Sequence, residues 1–405
     1  MMRRLLITLL FLGVATLSLA QTENRFIVSE GDTLRYTYTP IAFDSTQFVQ
    51  PQRKGFLGRV VDYFGRSTED HTFEKKLDIT FAGGPSYSKT TQLGIGALAA
   101  GLYRIDRTDS ITPPSNISIF ANVTTSGFFS LGVTGNTIFR DSRRKVSYDA
   151  TFSSAPRDVW GIGYAAGRYN PKSDFVEQRY SIRARYAERI FPNTYVGLLA
   201  QFEHTNGRKF DELSLSYIEG QKHRYTATGL GAILEYDSRD FIPNPARGIY
   251  VSLQGIWFAE GLGNCEKDLW RSSVTVDLYQ RLWPSGLLAF DFYGEFNADG
   301  APWPMLARMG GNQRMRGYYL GQYTDNNMLT CQVELRQHIW RRIGCVVWGG
   351  GGNVFSKREP FQWRHTLPNY GLGLRWELKK RVNVRMDYGF GRDTSGFLLS
   401  IDEAF

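Results

Sequence analysis

From Lys76 to Phe405 the sequence keeps a period of two, with charged or polar residues at alternate positions. In KLDITFA, Leu77, Ile79 and Phe81 alternate with Lys76, Asp78 and Thr80. In RYSIRARYAERI, Tyr180, Ile182, Ala184, Tyr186 and Ile190 alternate with Arg179, Ser181, Arg183, Arg185 and Arg189. In RVNVRMDYGF, Val382, Val384, Met386, Tyr388 and Phe390 alternate with Arg381, Asn383, Arg385 and Asp387. Successive side chains of a strand point to opposite faces. A face this charged fits neither lipid nor the core of a soluble sandwich, and the other face is too continuously apolar and aromatic for water. A transmembrane barrel satisfies both, with the charges in the lumen and the apolar residues against the bilayer. That averaging explains a mean hydropathy of −0.32 in a chain with 27 Phe, 22 Tyr and 9 Trp. A bundle of membrane helices is excluded, because each span needs roughly 20 consecutive apolar residues. Only Leu5–Ala20 approaches that.

The predicted fold is therefore all-β, a sixteen-stranded antiparallel transmembrane β-barrel with a short periplasmic N-terminal segment. Strands are expected near 76–86, 90–104, 116–126, 128–140, 144–154, 177–190, 193–204 and 222–238. A second set is expected near 248–259, 268–283, 286–297, 327–339, 343–355, 368–378, 381–392 and 395–405. Asp158–Tyr169 also looks strand-like, but a seventeenth strand would put the termini on opposite sides, so it is assigned to an outer loop. Phe397, Leu399 and Ile401 lead in phase to Phe405, the aromatic C-terminal signal of a lipid-facing last strand. Closure would set that strand against the first, with Thr80 near Ser400. Gly83, Gly84 and Pro85 weaken the pairing there, since proline donates no ladder bond and glycine packs poorly.

Upstream, Arg3 and Arg4, the apolar Leu5–Leu19 and the small-residue site Ser18-Leu19-Ala20 make residues 1–20 a secretory signal peptide. Residues 21–75 read as a periplasmic leader. Within it, Phe56, Leu57, Val60, Val61 and Phe64 fall on one helical face of Lys54–Arg66. That helix lies on the membrane, covers one barrel end, or is merely packed.

Losing Arg3 and Arg4 takes the formal charge from +9 to +7, and the excess is dispersed, which argues against nucleic-acid binding. Cys265, Cys331 and Cys345 have no metal or disulfide spacing and read as free thiols. The sequence holds no GxSxG, HExxH or phosphate-binding glycine loop, and His204, His223 and His365 read as polar loop residues. No cofactor, metal or catalytic residue is assigned, and the chain is not read as an enzyme.

Two connections are longer than turns. One is YDSRDFIPNPARGIY, with Tyr236, Asp237, Arg239, Asp240, Pro245 and Gly248. The other is Ala298–Asn326, centred on GGNQRMRGYYLG, with the tetrad Met315, Arg316, Gly317 and Tyr318. Together they resemble the BamA/TamA-type bacterial surface antigen superfamily of outer-membrane assembly and secretion barrels. The resemblance implies that the second connection folds into the lumen and that Arg316 pairs with an acid on the next strand, Glu334. The family's second acidic position falls on Gly350, a departure. Residues 21–75 are too few for a periplasmic repeat, so the chain resembles a short, barrel-only branch. The implied role is insertion or transport of proteins or lipids at the outer membrane of a Gram-negative bacterium. Its expected partners are membrane lipids, client proteins and a separate periplasmic protein around a monomeric barrel. The alternative is a passive structural barrel, pore or surface-binding module.

Overall fold

The computed structural model describes residues 72–405, apart from 110–111, 243, 380 and 402. The signal peptide, the leader up to residue 71 and the Lys54–Arg66 helix lie outside the described residues. The strands are β1 (Asp78–Ser88), β2 (Gln92–Tyr103), β3 (Ser115–Thr124), β4 (Phe129–Ile138), β5 (Arg144–Val159) and β6 (Ser173–Phe191). They continue with β7 (Thr194–Arg208), β8 (Arg224–Asp237), β9 (Gly248–Phe258), β10 (Leu269–Trp283) and β11 (Gly286–Asn297). A small ribbon, β12 (Ala307–Met309) with β13 (Tyr323–Asp325), interrupts the series. Then come β14 (Asn327–Trp340), β15 (Ile343–Phe355), β16 (Leu367–Lys379), β17 (Val382–Gly391) and β18 (Thr394–Ile401). All but the ribbon pair antiparallel with their neighbours in one closed barrel of sixteen strands, as the alternation requires.

The two faces separate as expected. Phe81, Ile182, Leu198 and Leu372 are more than half exposed on the outer surface, while Glu177, Glu203, Glu334 and Arg385 are buried inside. The connections β4–β5, β6–β7, β10–β11, β14–β15 and β16–β17 are short and lie at the end that also holds the C-terminus. The opposite end carries the long loops. There β5 and β6 run past their expected limits and remain paired to Val159–Ser173. Asp158 and Val159 thus belong to a strand, and the rest of the expected loop segment contains a short helix, α1 (Tyr164–Tyr169). A second, α2 (Glu212–Tyr217), starts at Asp211, whose carboxylate accepts from the Ser214 N–H at 2.7 Å.

Candidate functional site

The lumen is filled by the Ala298–Asn326 connection. It carries the β12–β13 ribbon, which stiffens it and aims its tip at the wall. Three apolar clusters hold its flanks. Met305 and Leu306 pack with Leu199 and Phe258, Trp303 with Phe175 and Ile218, and Met309, Met315, Tyr318 and Tyr323 with Tyr164, Val354 and Leu367.

At the tip, Met315 and Gly317 have positive φ, 53° and 101°, and the turn they make drives Arg316 into the wall. Arg316 is 1% exposed. Its Nη2 donates to Glu334 Oε2 at 2.7 Å and its Nη1 to Asp387 Oδ2 at 2.8 Å. The guanidinium also lies 3.6 Å over the Trp348 ring, and Trp348 Nε1 donates to Asn369, which in turn donates to the Arg316 carbonyl. The charges alternate around a closed ring. Glu334 meets Arg336 at 2.7 Å, Arg336 reaches Glu403 at 3.9 Å, Glu403 meets Arg375 at 2.9 Å, and Arg375 returns to Asp387 at 2.5 Å. Burying each ion alone would cost several kcal/mol, and a ring of alternating sign offsets that for every member.

Tyr318 extends the grip, donating to the Pro368 carbonyl at 2.8 Å and accepting from the Arg392 N–H at 2.6 Å. The plug backbone can lie this close because the wall opposite is glycine. A Cβ at Gly389 would collide with the Arg316 carbonyl, and one at Gly391 with the Tyr318 ring. Two further arginines pin the plug elsewhere, Arg314 on Asp291 of β11 at 2.6 Å and Arg308 on Glu177 of β6 at 2.8 Å.

The Tyr236–Tyr250 connection crosses the short-turn mouth. Arg239 pairs with Asp237 at 2.8 Å and lies over Tyr250. Asp240 Oδ1 accepts the Ala246 and Arg247 N–H groups at 2.9 and 3.3 Å, which folds the loop back on itself. Asp240 Oδ2 accepts Arg381 Nη2 at 2.8 Å from the β16–β17 turn, so the loop is strapped across the opening. Pro245 is buried within it, while Gly248, with φ of 115°, leaves no room for a side chain beside Ser238 and Arg239. Tyr236 is the penultimate residue of β8, laddered to Thr194 and Val251. Burial alone would raise the Asp240 carboxyl, but the two N–H groups and Arg381 outweigh it and hold it below the ordinary carboxylate value. A depressed folded-state value means stabilisation that is present above the unfolded value of about 3.9 and lost as pH falls. Protection of the Ala246 and Arg247 amides from exchange, corrected for intrinsic rate, should therefore drop below about pH 4. Asp240→Asn should be weakly protected at every pH. Equal protection in both proteins would dismiss the strap.

The barrel closes poorly. Among the described residues, β1 and β18 share one ladder pair, Tyr87 with Leu399, whereas β1 and β2 are laddered continuously from Asp78–Leu102 to Ser88–Gln92. That register sets Ser86, not Thr80, opposite Ser400. The C-terminus also shortens the seam. β18 ends at Ile401, and the expected lipid-facing continuation to Phe405 does not form. Glu403 would be a carboxylate in lipid; it turns inward to Arg375 and Asn383 instead, and Phe405 follows it to Arg336 and the Tyr279 ring.

Of the residues singled out from sequence, Met315, Arg316, Gly317, Tyr318 and Glu334 meet in one place, and Phe405 lies near them through Arg336. The turn residues form a separate structure at the mouth. Gly350 offers no space for an acid, since a Cβ there would collide with the Cys331 carbonyl. Asp387, two strands further on, supplies the second carboxylate. Sequence reasoning saw Asp387 only as one term of an alternation and missed Arg308, Arg314 and Glu403. A glutamate in phase with lipid-facing positions was the signal for the last. His365 stacks on Tyr164, His223 packs on Phe210, and His204 bonds Thr226. The three cysteines are free.

The Omp85 superfamily domain matches residues 115–405. Among solved structures, BamA from Haemophilus ducreyi lacking POTRA domains 1–3 is similar with a TM-score of 0.55 at 12% identity; the alignment covers 80% of this chain and 70% of that one. CdiB from Acinetobacter baumannii gives 0.54 at 11%, covering 81% and 60% of the two chains. CdiB from Escherichia coli gives 0.53 at 11%, covering 81% and 63%. This chain thus spans less than two thirds of either CdiB. No match was found among curated proteins.

Proposed function

The chain belongs to the Omp85 superfamily, and from that premise we propose that it aids insertion or passage of proteins or lipids at the outer membrane of a Gram-negative bacterium. Its short-turn end then faces the periplasm, and it works as a single barrel on membrane lipids and client proteins, with a separate periplasmic protein delivering them. The observation that carries this reading is the seam, with one ladder pair between β1 and β18 among the described residues, beside a lumen entered by its own plug. The plug stands in the axial route, and a lateral one is weakly held.

Physical chemistry supports the lateral route. Below Pro85 the β1 edge has no ladder partner from β18 among the described residues. A joint held by few backbone bonds opens at less cost than a fully laddered one, and an opened strand edge in hydrocarbon pairs with another strand.

The test is a lock. Cysteines replacing Tyr87 and Leu399, the laddered pair, after removal of the three native ones, face each other where Cα separations of about 4.5–5.5 Å suit a disulfide. Proteoliposomes with the reduced protein should speed folding of an unfolded outer-membrane barrel, scored by its heat-modifiable gel shift, and oxidation should remove most of that gain. If reduced protein gives no gain over empty liposomes, or oxidised protein works equally well, the passive-barrel reading stands instead.

A further inference from the structure

The plug tip touches both lips of the seam. On one side it is fixed to the last strands. Thr394 Oγ1, at the start of β18, donates to the Gly317 carbonyl at 3.0 Å, next to the Arg316–Asp387 pair on β17. On the other side it is fixed to the 89–91 turn that joins β1 to β2. The Leu320 N–H donates to Thr90 Oγ1 at 3.2 Å, and the Lys89 ammonium lies 4.2 Å from the centre of the Tyr319 ring. Lys89 Nζ also donates to Thr394 Oγ1, which completes the circuit from β1 to β18. The turn is held from behind. Ser88 Oγ accepts the Thr91 N–H at 3.0 Å, and Ser126 Oγ donates to the Thr91 carbonyl at 2.9 Å. Gly396 lets the three parts meet, since a Cβ there would lie 3.3 Å from Gly317 Cα and 3.4 Å from the Lys89 side chain.

The seam therefore has two unlike ends. Toward the short turns, β1 below Pro85 has no ladder partner from β18 among the described residues. Toward the loops, side chains and the plug supply the contact that the ladder does not. We propose that Lys89 and Thr90 form a latch. They bind the plug tip to the first strand as Arg316 and Thr394 bind it to the last, so the loop end of the seam parts only when the tip leaves one lip. A cation–π contact and two side-chain hydrogen bonds are each modest in strength, so the latch favours the closed seam without fixing it. Because both lips share the tip, plug release and seam parting are coupled. Whatever draws the tip away favours parting, and parting loosens the tip by the same factor. The latch deepens the lateral-route reading and rests on it for its use, with the short-turn end as the entrance and the latch as the last contact to break.

The test uses full-length protein folded in detergent, with the three native cysteines removed and with Tyr87→Cys and Leu399→Cys. Its denaturation in sodium dodecyl sulfate is followed by gel mobility. In the reduced protein, Lys89→Gln with Thr90→Val should speed denaturation about tenfold, the scale of one cation–π contact and two hydrogen bonds. With the seam disulfide closed, the same two changes should leave the rate unaltered, because lips joined covalently do not need the latch. Changes that merely weakened the turn would speed both forms. In the Arg316→Ala background, where the tip is already released, the two changes should add little. Lys209→Gln, which removes a charge from the β7–β8 loop at the same end, should have no effect. The latch is refuted if the reduced rate stays the same, if the locked protein speeds up equally, if the full effect persists with Arg316→Ala, or if Lys209→Gln does as much. No client is present, so these rates decide the latch whether or not the liposome test shows assisted folding.

Discussion

Replacing Arg316 by alanine should cost about 3–5 kcal/mol, the range for removing one partner of a buried ion pair. The variant takes one guanidinium donor from each of Glu334 and Asp387, both buried. In detergent the expected signs are a lower temperature for the heat-modifiable gel shift and new trypsin cleavage between Ala298 and Asn326. Arg316→Lys should rescue little, because an ammonium cannot present two parallel donors to carboxylates on β14 and β17. Glu334→Ala should cost a similar amount, and the double variant should fall well short of the sum. Additive losses would show that the two residues act on different things.

Gly389→Val should expel the plug tip without touching a charge. The atoms that would meet its Cβ are the Arg316 carbonyl and the Gly317 nitrogen, backbone that cannot rotate aside. Overpacking a well-packed site typically costs 1–3 kcal/mol, and here relief requires lifting Arg316 from its carboxylates, which brings the loss toward that of Arg316→Ala. Protease sensitivity of the plug and the gel-shift temperature should therefore change as they do in Arg316→Ala. In the Arg316→Ala background, Gly389→Val should add little. Gly349→Val serves as the control, because a Cβ there meets nothing within 4 Å. Equal damage from both valines would mean that strand distortion, not plug contact, is being measured.

The barrel was legible because the cost of a charge in lipid is so large that it marks nearly every strand. Arg183 and Arg185, with Ala184 between them and Ile182 and Tyr186 on either side, admit one orientation only. The plug's anchor was legible through its tetrad, but its architecture was not. Three-residue strands such as β12 and β13 bury too little to leave a periodic trace, and their pairing depends on the barrel around them. Partner choice was hidden for a related reason. Alternation places Asp387 in the lumen without saying which arginine reaches it, and Glu177 and Arg308 are 131 positions apart. The tail misled because Phe397, Leu399 and Ile401 continue in phase to Phe405, whereas the pairing of Glu403 with Arg375 and Arg336 outweighs four more residues of strand.

The one Tyr87–Leu399 pair found between β1 and β18 among the described residues also decides how the molecule comes apart. A fully laddered cylinder has no place to begin, since detaching any strand breaks two continuous ladders at once. Here β18 can detach by breaking one ladder, so loss of structure starts at the seam and proceeds around the wall from there. The rate of denaturation in sodium dodecyl sulfate is then governed by this joint and by the grip of Glu403, not by the average strength of the sheet. Mutations on the far wall, around β7 and β8, should leave that rate nearly untouched even where they lower equilibrium stability.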